Sequence, residues 1–303
     1  MNSMFQNDTW KDYELLDAAA GERLERWGRY ILIRPDPQVI WNTERRHPMW
    51  KKADGVYRRS KNGGGSWVVS KMPADWNISY GDLTFNLRPM GFKHTGLFPE
   101  QAVNWDWFSN IIGRARRDVP DYQPKVLNLF AYTGGATAAA ARAGAKVCHV
   151  DASKGMVAAA KENLRLSGLG DAPVRYIVDD CRKFVEREIR RGNKYDGVIM
   201  DPPSYGRGPN GEVWKLDECA YDLISLVVKI LTDRPLFFLI NSYTTGLSPA
   251  SMGYMLMTLM PQASMGVLTT GELGLPVTES GLYLPAGASA RWQRSDTFSG
   301  ENK

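Results

Sequence analysis

The sequence predicts two parts, a small β-rich domain followed by a larger α/β domain with a doubly wound, mostly parallel sheet. From residue 126 to residue 260, apolar stretches of strand length alternate with stretches of helical periodicity. Such alternation is typical of a parallel sheet covered by helices on both faces. Before residue 95, short apolar runs are separated by Pro, Gly and Asn, a pattern typical of short β-strands. We place the junction near residue 90 and predict the domains 1–92 and 93–303.

Composition excludes several classes of protein. The chain has 303 residues, of which 43% are hydrophobic, enough for a packed core. Its formal net charge of +5 suits a polyanionic partner without requiring one. Cys148, Cys181 and Cys219 have no metal-ligand spacing and no disulfide pattern, which indicates a reducing compartment. No apolar run approaches the roughly 18 residues of a membrane span and the first residues have no signal character, so we expect a cytoplasmic protein.

The β-rich part contains a candidate nucleic-acid surface. Strands are predicted at 30–33, 67–69 and 83–87, and between two of them lies a loop at 57–66 with a tyrosine, cations and three glycines. Further cations nearby, Arg45, Arg46, Lys51 and Lys52, interleave with tryptophans as a nucleic-acid groove requires. A solvated hairpin loop and tryptophans buried in a core are the alternative interpretation.

The α/β part follows in regular order. A turn-rich stretch at 94–101 leads into a helix that runs to about Arg117, with a basic end that complements the helix dipole. The pattern then predicts strands at 126–130, 146–150, 174–178, 195–200 and 235–240, and helices at 136–143, 153–166, 181–191, 217–231 and 249–260. A terminal hairpin at 282–288 would add an antiparallel edge. The whole is a Rossmann-like arrangement.

The first strand, turn and helix of this part form a candidate ligand site. The apolar strand ending at Phe130 is followed by Tyr132-Thr133-Gly134-Gly135 and then by alanine-rich helix formers. Glycine lets a ligand approach the backbone, and a helix N-terminus favours anions. The next strand ends in Asp151, near the place where a carboxylate binds ribose hydroxyls in such folds.

Two further strand ends carry acidic residues. The third strand ends at Asp179-Asp180, and the fourth runs into Asp201-Pro202-Pro203. Because the carboxyl ends of parallel strands meet at one crevice, these residues are expected to converge. Two prolines make a stiff backbone that can aim neighbouring groups at a substrate. Helix capping by Asp151 and Asp179 and a purely structural Pro-Pro turn are the alternatives.

These motifs, in this order, resemble those of the class I S-adenosylmethionine-dependent methyltransferases. Phe130 to Gly135 together with Asp201 to Gly206 is most similar to the branch of bacterial 23S ribosomal RNA cytosine-C5 and guanine-N7 methyltransferases. The resemblance covers about 94–292, and the β-rich part also looks like that branch's middle domain. It implies S-adenosyl-L-methionine as cofactor and RNA, in particular ribosomal RNA, as partner.

The resemblance also implies roles for individual residues. Backbone groups at Tyr132 to Gly135 would hold the amino-acid part of the cofactor, Asp151 the ribose, and Asp180 with Cys181 the adenine. The cofactor-binding set it implies is Phe98, Gln101, Asn128, Phe130, Tyr132, Thr133, Gly134, Gly135, Asp151, Ser153, Asp180 and Cys181. The set beside the transferred methyl group is Asp201, Pro202, Pro203, Ser204 and Tyr205.

One departure from the resemblance bears on mechanism. The cytosine-C5 members use a cysteine near the end of the fifth strand, where this chain has Ser242 and Tyr243. Cys148 lies in a predicted strand, Cys181 beside the adenine site and Cys219 on an apolar helix, so none suits a nucleophile. We therefore predict direct methyl transfer to a nitrogen or oxygen, with Asp201 removing a proton where needed.

Several alternatives stay open. The sequence begins with the β-rich domain, without the N-terminal RNA-binding module of the ribosomal relatives, so a protein or small-molecule acceptor is a second interpretation. A non-catalytic RNA-binding factor that retains the fold is a third. A dehydrogenase is disfavoured because the glycine turn lacks G-x-G-x-x-G. His47, His94 and His149 have no metal spacing, no metal is expected, and the oligomeric state is open, with a dimer through an edge strand as one option.

Overall fold

The computed structural model describes residues 4–60, 64–207 and 213–295. The α-helices of this part of the chain are α1 (Ala102–Asp118), α2 (Gly135–Arg142), α3 (Lys154–Leu166), α4 (Cys181–Arg190), α5 (Leu216–Val227) and α6 (Pro249–Leu259). The strands before α1 are β1 (Met4–Gln6), β2 (Tyr13–Ala19), β3 (Glu22–Trp27), β4 (Tyr30–Pro35), β5 (Gly55–Arg59), β6 (Gly65–Val69), β7 (Trp76–Tyr80) and β8 (Leu83–Leu87). The later strands are β9 (Lys125–Leu129), β10 (Lys146–Asp151), β11 (Val174–Val178), β12 (Gly197–Met200), β13 (Tyr205–Arg207), β14 (Val213–Lys215), β15 (Phe237–Ser242), β16 (Gly266–Pro276) and β17 (Tyr283–Arg294).

An eight-stranded sheet dominates the molecule. Its strand order is β1-β16-β17-β15-β12-β9-β10-β11, and β15, β12, β9, β10 and β11 are mutually parallel. β17 runs antiparallel to both β15 and β16. The predicted fold class, a mostly parallel Rossmann-like sheet with antiparallel C-terminal strands after a β-rich part, is confirmed.

The antiparallel end of this sheet differs in two details from the prediction. The turn of the hairpin lies between Pro276 and Tyr283, and residues 283–288 belong to the strand β17. Pro285 and Gly287, which suggested a turn, instead flank a β-bulge where the register shifts. The outermost strand is β1, from the beginning of the chain, which pairs in parallel with β16.

The rest of the N-terminal part forms separate sheets. β2 to β6 make a five-stranded sheet, and β7 with β8 make a two-stranded one. The β7–β8 hairpin is tied to the C-terminal region of α3, since the Thr84 N–H donates to Ser167 Oγ and the Asn86 N–H to Asn163 Oδ1, both at 2.9 Å. The division of the chain at residue 92 stays a prediction; β1 is the one described strand before it that joins the large sheet.

Burial on both faces explains the apolar strands. β12 is buried along its whole length, as is β9 after its first residue. Alternate residues face opposite layers: Val126 and Ile199 join the core under α1 and α2, whereas Leu127 and Val198 join the core under α4, α5 and α6. The central strands therefore have fixed register and present their carboxyl ends at one edge.

Two absences concern only the described ranges 4–60, 64–207 and 213–295. Within them, none of the helices has the length and apolar character needed to cross a membrane. The same residues contain no group of His, Cys, Asp and Glu side chains able to hold a metal ion.

Candidate active site

The turn after β9 has an unusual backbone. Phe130 and Tyr132 have φ angles of 56° and 50°, and Gly134 has 83°. Left-handed conformations of non-glycine residues cost of order 1–3 kcal/mol and cluster at functional sites. The turn is held by Asp151, whose Oδ2 accepts a 2.8 Å hydrogen bond from the Tyr132 N–H. Two adjacent strand ends are thereby locked together.

The two glycines of this turn are required by packing. A Cβ on Gly134 would lie 2.8 Å from Ala160 Cβ of α3, and one on Gly135 would lie 2.7 Å from the Trp105 ring of α1. Real Cβ atoms do not approach other atoms so closely. The glycines therefore let α2 start in contact with both neighbouring helices, which positions its N-terminus at the sheet edge.

The acidic ends of β10 and β11 have structural partners as well as free surface. Asp151 Oδ1 accepts from the Ser153 N–H at 2.8 Å, and the exposed Ser153 caps α3. Asp180 is exposed and caps α4, accepting from the Lys183 N–H at 2.9 Å. The capping alternative named Asp151 and Asp179, but the caps of α3 and α4 are Ser153 and Asp180. A cap leaves carboxylate lone pairs for a ligand.

Three of the predicted residues lie inside the site. Asn128 is 2% exposed and its Nδ2 donates to Thr137 Oγ1 at 2.9 Å, joining β9 to α2. Thr133 is buried and its hydroxyl donates to the Gly96 carbonyl. The Cys181 thiol accepts from the Phe130 N–H at 3.3 Å, and burial raises its pKa. These side chains hold the strained turn in place.

Phe98 and Gln101 close the site from the other side. The Phe98 ring lies 5.3 Å from the Tyr132 ring and 5.7 Å from the Tyr243 ring, between centroids. Gln101 donates from Nε2 to Tyr243 Oη at 2.7 Å. The stretch before α1 therefore bridges the ends of β9 and β15.

The centre of the site contains two carboxyl groups, each with one oxygen that has no hydrogen-bond partner in the described ranges. Asp201 follows β12, and Glu100 lies in the 3₁₀ turn before α1. Asp201 Oδ1 and Glu100 Oε2 are buried, and neither bonds to any atom in the described ranges. Burial, and secondarily the charge of Glu100, raise the pKa of Asp201 to about 7; burial likewise raises the pKa of Glu100. Asp201 can therefore exchange a proton near neutral pH.

The loop after Asp201 is anchored rather than free. Pro202 is buried, whereas Pro203 and Tyr205 are exposed, and Ser204 is half-buried. The Pro203 carbonyl accepts a 2.7 Å hydrogen bond from Trp214 Nε1, whose ring lies 6.1 Å from that of Phe130. Trp214, which sequence reasoning did not single out, thus links the loop at 201–205 to the turn after β9.

The half-buried side chain of Tyr243 directly follows β15. Burial and the charges of Glu100 and Asp201 raise the pKa of Tyr243, so its hydroxyl stays neutral. Of the cysteines, Cys148 is buried in β10 with a pKa raised to about 11, and Cys219 is half-buried on α5. None of the three follows a strand end beside Asp201.

The converging elements enclose a cleft with about 460 Å³ of empty space, part of it open to solvent. Among the residues that line it are Phe98, Gln101, Asn128, Phe130, Tyr132 and Asp201. Glu100 and Tyr243 lie in stretches that the sequence indicates as important, but their proximity could not be predicted from it. Only the topology brings residues 100, 201 and 243 together.

Comparison with known proteins gives the family. A family described as S-adenosylmethionine-dependent methyltransferase matches residues 43–220. A solved structure of an S-adenosylmethionine-dependent methyltransferase from Agrobacterium tumefaciens is 35% identical with a TM-score of 0.87, covering 97% of this chain and 94% of that one. The chain belongs to the S-adenosylmethionine-dependent methyltransferase family.

Two further similarities are more restricted. The methyltransferase is 31% identical over 150 residues to the ribosomal RNA large subunit methyltransferase K/L of Shewanella frigidimarina, which is 49% of this chain but 20% of that protein. The chain thus spans about a fifth of the length of the curated relatives it matches. A methyltransferase structure complexed with SAH, SMU.776, shares the fold at 18% identity and a TM-score of 0.69, covering 94% and 76% of the two chains. The predictions of the family and of its cofactor, S-adenosyl-L-methionine, are confirmed.

Proposed function

We propose that this methyltransferase acts on RNA, in particular ribosomal RNA, and transfers the methyl group directly to a nucleophilic atom without a cysteine intermediate. The observation that carries the proposal is the buried carboxylate of Asp201 at the end of β12, with an unpaired oxygen and a pKa near 7. The choice of RNA is supported by the likeness to a ribosomal RNA methyltransferase and by the net charge of +5.

The chemistry of the site fits S-adenosylmethionine. The cofactor supplies an electrophilic methyl group on a positively charged sulfur and carries ammonium, carboxylate and hydroxyl groups. Glu100 and Asp201 have buried, unpaired oxygens that suit the cationic part. The N-terminus of α2 suits the carboxylate, and Asp151 the ribose hydroxyls. We assign the remaining contacts to the residues predicted from the sequence, from Phe98 to Cys181.

Asp201 has the properties of a general base of modest strength. Its carboxylate becomes available near pH 7, and a base works best with a pKa near the working pH. A ring nitrogen of RNA is already nucleophilic, so the protein has mainly to orient it, whereas an amino nitrogen must also lose a proton. Pro202 and Pro203 limit the freedom of the loop, which serves that orientation.

The proposal of direct transfer depends on the cysteines. A thiolate nucleophile needs a lowered pKa and access to the substrate. Burial raises the pKa of both Cys148 and Cys181. Cys219 lies on α5, on the face of the sheet away from α1 and α2. Tyr243 stays neutral and is hydrogen-bonded, which suits a wall of the acceptor pocket.

The test is transfer of label from S-adenosylmethionine carrying a labelled methyl group. The purified protein is incubated with a lysate of cells lacking its gene, and portions are digested with ribonuclease or protease. Label lost only on ribonuclease treatment supports the proposal, and nucleoside analysis then identifies the methylated atom. Label that resists ribonuclease rejects RNA as the acceptor. Cofactor binding without transfer to any fraction would indicate a non-catalytic factor.

A further inference from the structure

Residues 88–94 form a loop between β8 and the 3₁₀ turn that precedes α1. This loop contacts both the five-stranded sheet and the cleft. It is closed by backbone hydrogen bonds from the Arg88 N–H to the Thr95 carbonyl and from the Met90 N–H to the His94 carbonyl, 3.0 and 3.1 Å long. Its tip therefore has a defined shape. We call this segment the bridging loop.

The bridging loop contacts both parts of the molecule. Trp67 of β6 donates from Nε1 to the carbonyls of Met90 and Phe92, at 3.0 and 3.3 Å. On the cleft side, the Tyr132 hydroxyl donates to Met90 Sδ at 3.2 Å. His94 packs its ring 5.3 Å from that of Phe98. The loop is thus a continuous path from the β5–β6 hairpin to the candidate active site.

The tip of this loop presents an aromatic ring to solvent. Phe92 is 68% exposed, although its neighbours Lys93 and His94 are half-buried. A phenylalanine exposed on an ordered loop gains no burial energy from the fold. A base of a single strand can stack on such a ring, whereas a base inside a duplex cannot reach it.

Two cations without carboxylate partners belong to the segments that meet at this loop. Arg59 and Arg88 are exposed and form no ion pair with residues in the described part of the chain. Arg59 lies on the same face of β5 as Tyr57, whose ring contacts Trp67. Burial is the main reason that the pKa of Lys93 is lowered to about 8, and the charges of Arg23, Arg34 and Arg59 lower it further. Arg88 is close enough to affect the pKa of Tyr132 in the cleft.

We infer that the bridging loop is the entry surface for single-stranded RNA, with Phe92 stacking on a base next to the methylated nucleotide and Arg59 and Arg88 binding the phosphates. This inference rests on the proposed function and specifies where its substrate binds. Exposed arginines on the segments that meet at an exposed ring match the combination of backbone charge and stacking that single-stranded nucleic acid requires.

The inference is tested with a mixed-sequence RNA of 12 nucleotides, as a single strand and as a duplex, with affinity measured over a range of salt concentrations. The variants are Phe92→Ala and the double variant Arg59→Gln with Arg88→Gln. Their matched controls are Tyr254→Ala, an aromatic residue 76% exposed on α6, and Arg114→Gln with Arg190→Gln. The control arginines are exposed and lie in the C-terminal halves of α1 and α4. Melting temperatures confirm that every variant is folded.

We expect Phe92→Ala to bind the single strand about tenfold more weakly, within the range for loss of one base stack. The double arginine variant should lower the slope of log affinity against log salt by about two, one for each phosphate contact. The control variants should bind as the wild type does, and the single strand should bind better than the duplex. Cofactor affinity should be unchanged in all of them.

Failure of the inference and failure of the proposed function give different results. If the wild type binds RNA and both test variants match their controls, the entry surface is wrong while the RNA methyltransferase stands. A preference for the duplex also overturns the stacking role of Phe92. If the wild type shows no affinity for RNA, neither as strand nor as duplex, and methylates none, both are overturned.

Discussion

At the residue scale, Asp201 combines a chemical use with a cost in stability. Its carboxyl is buried beside a second acid and has an oxygen without a partner. A buried ionised group without a partner destabilises the fold. The position nevertheless provides a proton acceptor where four strand ends meet, so catalysis and stability should respond to it in opposite directions.

The first prediction concerns activity. Because only the ionised Asp201 can accept a proton, kcat/KM of the wild type should rise with pH and level off above about 7. Asp201→Asn should reduce kcat by about 100-fold or more and remove this pH dependence, within the range for loss of an acid–base group. A pH series of initial rates measures both. An unchanged profile in the variant would exclude Asp201 as the base.

The second prediction concerns stability and has a fixed sign. The pKa of Asp201 rises from its ordinary 3.8 to about 7 on folding, so between these values the folded chain binds more protons than the unfolded chain. Stability contributed by this group is present at low pH and is lost as the pH rises through about 7. At pH 8, Asp201→Asn should therefore be more stable than the wild type, by up to about 4 kcal/mol in unfolding free energy. At pH 4 the two proteins should be equally stable. Calorimetry of the protein without cofactor decides this; a variant less stable at pH 8 contradicts it.

The third prediction separates direct transfer from a thiol mechanism. Replacing Cys148, Cys181 and Cys219 singly by serine should leave turnover within a few fold of the wild type. Cys181→Ser should alter mainly cofactor affinity, because that thiol accepts the hydrogen bond of the Phe130 N–H. Turnover abolished in any one variant with cofactor affinity intact would require a covalent intermediate.

At the scale of single elements, the strand, turn and helix from β9 to α2 could be predicted from the sequence. The strand, the glycines and the alanine-rich helix each have a local signature, and Asp151 follows at a recognisable distance. The packing of this turn against α1 and α3 could not be predicted from the sequence. Trp105 and Ala160 come close to Gly135 and Gly134 only in the tertiary fold. The strain at Phe130 and Tyr132 also has no sequence signal.

The fourth prediction tests that packing. Gly134→Ala adds a Cβ 2.8 Å from Ala160 Cβ in a left-handed backbone, so it should lower unfolding free energy by roughly 2–4 kcal/mol and weaken cofactor binding. Gly168→Ala is the matched control, because Gly168 has φ of 69° but no atom within 4 Å of the added Cβ. It should cost only about 1 kcal/mol, the conformational part. Denaturant titration and cofactor titration provide the two measurements, and equal losses in both variants would assign the effect to the backbone alone.

Other elements show where local reasoning failed. Pro285 and Gly287 predicted a turn because both residue types are common in turns. The long strand β16 instead pairs with this segment, and one extra residue in β17 forms a bulge. The short strand β1 had no prediction, since three residues carry too little pattern. Pairing partners distant in sequence decided both outcomes.

At the scale of the whole molecule, a buried polar network connects the sheet to the cleft. Asn104 of α1 accepts from Arg291 Nε at 2.7 Å and donates to Gln101, which in turn holds Tyr243. Arg291 is 5% exposed, forms no ion pair within the described residues, and lies with its guanidinium carbon 3.7 Å from the centre of the Phe5 ring. Burial lowers the pKa of Arg291 to about 9.

The fifth prediction follows from this network. Asn104→Ala removes the acceptor of a buried guanidinium and should lower unfolding free energy by about 3 kcal/mol. It should also reduce kcat, because Gln101 loses a partner that fixes its position under Tyr243. Asn42→Ala, at an exposed position, serves as control and should change neither quantity. A normal kcat in folded Asn104→Ala would mean that the network supports the fold alone.

Strand β1 gives the fold a particular order of assembly. Met4 pairs with Glu272 and Gln6 with Gly274, so β1 is synthesised long before its partner strand β16. Contacts so distant in sequence slow folding, and an uncovered strand edge invites pairing with other chains. Until β1 pairs with it, β16 has a free edge. The same pairing places the Phe5 ring against the Arg291 guanidinium. We therefore expect this edge of the sheet to be completed late in folding, because it joins strands that are far apart in the sequence.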